Sequence, residues 1–87
     1  MAANILLVED EPAIQTLITV NLQRAGHTVL AAGDAESAQK LVNDALPDLV
    51  LLDWMLPGMS GVDFARRLRA DSRTREVPII MLTARAE

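Results

Sequence analysis

The stretch "LVLLDWMLPG", residues 49–58, carries four aliphatic residues in succession, stops on a carboxylate at Asp53, and turns at Pro57-Gly58. A short continuous apolar run of this kind suits a strand covered on both faces, the habit of parallel sheets. The carboxylate at its end needs a reason. "NILLVEDEP", residues 4–12, poses the same question, because Val8 runs directly into Glu9, Asp10 and Glu11.

Two weaker runs, "HTVLAA" (27–32) and "VPIIML" (77–82), are candidates for further strands. Helical patterns lie between them. Pro12 fits a first turn, Ile14, Leu17, Ile18, Leu22 and Ala25 recur at helical spacing, and Gly26 supplies a stop. Asp34 can cap a second helix bearing Ala38, Leu41, Val42 and Ala45, which Pro47 terminates. Ser60 and Asp63 are spaced as a capping box for a third, continuing through Phe64, Ala65 and Leu68. The order βαβαβαβ, without repeat or linker, implies an α/β fold with right-handed crossovers and helices on both faces of a parallel sheet.

Ligands of such sheets gather at the carboxyl ends of the strands, where the strand order reverses. Asp10 follows the first strand and Asp53 ends the third, so both fall on that edge. If the two strands are neighbours, ~4.8 Å apart, their carboxylates can converge on one small ion. Clustered carboxylates repel unless a cation or a shared proton intervenes. Magnesium, with its demand for oxygen ligands, resolves that conflict. The absence of cysteine and the presence of a single histidine, His27, do not suit a softer transition metal. His27 is expected to cap or flank the second strand.

Composition bounds the rest. With 87 residues, 51% of them hydrophobic, the chain can hold one small core. Lack of cysteine rules out a disulfide framework and fits a reducing compartment. No apolar stretch approaches the ~18 residues of a membrane span, and Met-Ala-Ala-Asn does not open like a secretory signal, so a cytoplasmic location is expected. The net charge of −4 argues against nonspecific nucleic-acid binding. Arg66, Arg67, Arg69, Arg73, Arg75 and Arg85 crowd the last quarter and read as a solvated helix end. Trp54 and Phe64, the only aromatics, are expected to pack, and Met55, Met59 and Met81 to fill gaps.

With the acidic pair after the first strand, "LLDWMLPGMSG" and "VPIIMLTAR", the chain resembles the receiver domain of bacterial two-component response regulators, within the winged-helix transcription-factor subfamily. The resemblance runs from Asn4 to the last residue. It implies a flavodoxin-like (CheY-like) doubly wound sheet, which in the family has strand order 2-1-3-4-5. It further implies that Asp53 is the phosphoacceptor for a sensor histidine kinase. Mg2+ would be held by Glu9, Asp10, Asp53 and the backbone carbonyl of Met55, and Thr83 would contact the phosphate and act as a switch. Ala84 would leave room for the phosphate, and Pro57-Gly58 would shape the loop. Output would be transcriptional, through a DNA-binding domain lying outside these residues.

The same resemblance makes the chain a receiver fragment ending after the fourth strand, without the family's fifth βα unit and its lysine. Lys40 matches no active-site position. Weakened phosphorylation is therefore expected, as is self-association or partial unfolding through the exposed fourth-strand edge. Two other classes bear weighing. An aspartate-nucleophile phosphohydrolase needs a second aspartate where Met55 stands. A receiver-derived interaction module without phosphotransfer is the alternative function.

Overall fold

A computed structural model describes residues 2–82. Its elements follow the expected alternation: β1 (Asn4–Val8), α1 (Pro12–Arg24), β2 (Thr28–Ala32), α2 (Ala35–Asp44), β3 (Leu49–Asp53), α3 (Gly61–Ala70) and β4 (Ile79–Leu82). The strands form one parallel sheet in the order β2-β1-β3-β4. This is the CheY-like α/β fold, in the part covered by the described residues. Adjacency of β1 and β3, with Val8 paired to Leu52, brings the two charged strand ends together.

Strand alternation divides the core between the two faces of the sheet. Leu6, Val8, Val50 and Leu52 point toward α2 and α3, where they meet Ala38, Val42, Phe64 and Leu68. Ile5, Leu7 and Leu51 point the other way, toward Ile18 and Leu22 of α1. Because β1 and β3 are buried on both faces, they need apolar residues at successive positions, which explains their unbroken aliphatic runs.

The helix ends obey local chemistry. The Asp34 carboxylate accepts the Ser37 N–H at 2.7 Å, and Ser60 Oγ accepts the Asp63 N–H at 3.2 Å. Only that half of the capping box forms, since the Asp63 carboxylate faces Arg66 at 3.6 Å. At the end of α1, Gly26 takes φ +96°. There the Gly26 N–H donates to Gln23 O and the His27 N–H to Leu22 O, the paired bonds of a Schellman motif. His27 then flanks β2, its Nδ1 accepting the Ala3 N–H at 3.1 Å.

Three expectations need correction. The apolar stripe of α1 is only partly covered: Ile18 and Leu22 pack against Ile5, Leu7 and Leu51, whereas Leu17 is 62% exposed. Trp54 is exposed, as is Met55, because β3 ends at Asp53 and the loop carries both away from the core; Phe64 alone of the aromatics is buried. Two of the arginines, Arg69 in the last turn of α3 and Arg73 just beyond it, are not simply solvated. Arg69 Nη1 donates to the carbonyls of Arg75 (2.9 Å) and Val77 (2.7 Å) on the irregular approach to β4, and Arg73 Nη2 ties that approach to α2 through Val42 O (3.2 Å).

Candidate functional site

The carboxyl ends of β1 and β3 place Glu9, Asp10 and Asp53 together. One carboxylate oxygen from each lies within 4.8 Å of the others. Glu9 and Asp53 are buried and Asp10 is exposed, so the cluster opens to solvent on one side. Asp53 Oδ1 is buried without a hydrogen-bond partner among the described residues, an expensive arrangement for a carboxylate. Glu9 Oε2 accepts the Glu11 N–H at 2.9 Å. Burial raises the Glu9 carboxyl above its ordinary range; the charges of Asp53, Asp10 and Glu11 push the same way, and the Glu11 N–H pulls against them.

Among the described residues the donor set is all hard oxygen, concentrated and under-neutralised, with one buried oxygen unpartnered. Those features suit a small divalent cation of the magnesium class. No comparable group of ionisable residues lines the apolar cleft among Leu6, Leu30, Leu41, Leu46 and Pro47, which lies at the opposite, amino end of the strands.

Of the residues expected at the site, Glu9, Asp10 and Asp53 come together. Met55 stands two positions past Asp53 in the exposed loop. Thr83 and Ala84 lie outside the described residues. Two residues that sequence reasoning passed over support the cluster. Gly61 begins α3 directly against the main chain of Asp53, and its N–H donates to Trp54 O at 2.9 Å. The signal for it was a glycine where a helix former belongs, just after the Ser60 cap. Gln15 reaches back from α1, its Nε2 donating to Glu9 O at 2.8 Å. A polar residue on an otherwise ordinary helix offered no signal.

Residues 5–87 match the family model described as the response regulator receiver domain. The chain belongs to this family. It is a signalling domain of two-component response regulators, related to transcriptional regulators. The phosphate regulon transcriptional regulatory protein PhoB of Pseudomonas aeruginosa is 51% identical over 83 residues, covering 95% of this chain and 36% of that protein. PhoB of Escherichia coli is 47% identical over 87 residues, covering 100% of this chain and 38% of that protein. The chain thus spans little more than a third of the length of these relatives.

Among solved structures, the receiver domain of the P. aeruginosa sensor histidine kinase PA1611 superposes with a TM-score of 0.91 at 38% identity, covering 99% of this receiver chain and 70% of that one. That structure has a magnesium ion coordinated in its active-site cleft. Among the described residues of this receiver, no helix is long and apolar enough to cross a membrane.

Proposed function

We propose that this receiver accepts a phosphoryl group on Asp53 from the phosphohistidine of a sensor histidine kinase. The reading rests above all on one observation: Asp53 is buried at the end of β3, with Oδ1 unpartnered among the described residues, beside carboxylates that call for a cation. The Asp53 carboxylate attacks phosphorus, the P–N bond breaks, and the bonding pair leaves with the imidazole. An aspartyl phosphate remains on the protein. Because that product stays attached, the domain is a phosphoacceptor that assists its own modification and not a turnover enzyme.

Glu9, Asp10, Asp53 and the backbone carbonyl of Met55 are the residues to hold Mg2+, with Glu9 acting through water. When bound, the ion supplies neutralisation of phosphoryl oxygen charge. Gly61 keeps the α3 backbone close behind Asp53, and β1 fixes the acidic pair opposite it. Thr83 is assigned phosphate contact and switching by its place in the family pattern. Transcriptional output would pass through a DNA-binding domain in the longer protein, as the relation to PhoB suggests.

Intact-mass measurement after incubation with acetyl phosphate and Mg2+ tests the proposal. The expected result is a single phosphoryl adduct that needs Mg2+ and is absent from Asp53→Asn. An adduct that survives this substitution would remove Asp53 from the role.

A further inference from the structure

We infer that Gln15 is a positioning residue for cation binding, acting through Glu9. The inference rests on the acidic cluster being the magnesium site. Its ground is a double hold on the three-residue loop from Glu9 to Glu11, which carries both acidic ligands. The Gln15 main-chain N–H donates to Glu11 O at 2.9 Å, closing the first turn of α1. Its side-chain Nε2 donates to Glu9 O at 2.8 Å and more distantly to Ala32 O at 3.4 Å. One residue therefore ties down both ends of the loop.

Among the described residues no sheet bond holds this carbonyl. The pairing of β1 with β2 ends at Val8 and Ala32, and just beyond it the Glu9 N–H donates to Ala32 O at 2.9 Å. Glu9 O has passed the last rung, and Gln15 takes the place of the missing donor. With the backbone held at Glu9 O and the carboxylate held by the Glu11 N–H at 2.9 Å, protein groups by themselves orient the Glu9 side chain toward Asp10 and Asp53. Such ordering before binding removes part of the entropy loss otherwise incurred when the ion arrives.

The residue type fits that task. An amide offers N–H donors without charge. A lysine or arginine would bring a rival cation to the cluster, and a glutamate would add to its repulsion and could not donate when ionised. Partners that orient metal ligands typically influence affinity by about 10-fold or more.

The test is a Mg2+ titration read by Trp54 fluorescence, with urea denaturation run alongside to confirm folding. Gln15→Met keeps length and helix propensity and removes the donor; Gln15→Ala is a second variant should the first not fold. The expected result is Mg2+ binding weakened about 10-fold in the folded variant. In a Glu9→Gln background the same substitution should add less than about twofold, the non-additivity of residues acting through one group. Unchanged affinity in Gln15→Met while the parent chain binds, or an equal loss in both backgrounds, would overturn the role of Gln15 alone. A parent chain with no saturable response would overturn the magnesium reading and this inference with it.

Discussion

Gly61 lies so close to Asp53 that a Cβ on the glycine would fall 2.0 Å from the Asp53 carbonyl oxygen. The obstacle is main chain, with no flexible end to swing aside. Gly61→Ala should therefore push α3 away from the end of β3. We expect a loss of about 1–3 kcal/mol in urea denaturation, the usual range for overpacking, despite the better helix propensity of alanine. Mg2+ binding should weaken in the same variant, because the displaced chain includes Asp53.

Removing charge from the cluster should stabilise the metal-free protein. Asp53→Asn is expected to raise its stability by on the order of 1 kcal/mol, through relief of repulsion from Glu9 and Asp10. Saturating Mg2+ should reverse the ranking. At 100 times its dissociation constant the ion adds about 2.7 kcal/mol to the parent chain and little to Asp53→Asn. Thermal or urea unfolding with and without Mg2+ measures both terms.

The pH response has opposite signs at two carboxylates. Glu9 holds its proton more tightly in the folded chain than in the unfolded one, so its contribution to metal-free stability is lost as pH rises from about 4.5 through its raised titration. Asp34, lowered by the Ser37 N–H it caps, contributes above about 3.8, and that contribution is lost as pH falls through its lowered titration. Glu9→Gln should flatten the upper limb in chelator-treated protein. Mg2+ affinity should rise with pH across that same window, since the proton and the ion compete for Glu9.

The two aromatics should behave as their burial dictates. Phe64 is fully buried between β3 and the other residues of its core, and Phe64→Ala should destabilise by about 3–5 kcal/mol. Trp54, at 52% exposed, should tolerate alanine within about 0.5 kcal/mol in the same urea assay.

The sequence by itself determined the element order, because β1 and β3 are buried on both faces and so must be written as unbroken aliphatic runs. It also placed Asp10 and Asp53 on one edge, since residues at the ends of parallel strands emerge at the same end of the sheet, and the family resemblance added Glu9. Local signals at Asp34, Ser60 and Gly26 acted within a few residues, and the structure places each at its expected helix end.

Only the tertiary structure decided what depends on residues distant in sequence. The adjacency of β1 and β3 set the spacing of the acidic cluster. The exposure of Trp54 followed from where β3 stops, and the partial exposure of the α1 stripe from which of its residues, Ile18 and Leu22, meet the sheet. The bonds of Gln15 to Glu9 O and of Arg69 to Val77 O use ordinary polar side chains as donors to particular main-chain carbonyls. Composition and periodicity carry no mark of such pairings, because any long polar side chain can donate, and the folded backbone alone fixes which acceptor lies within reach.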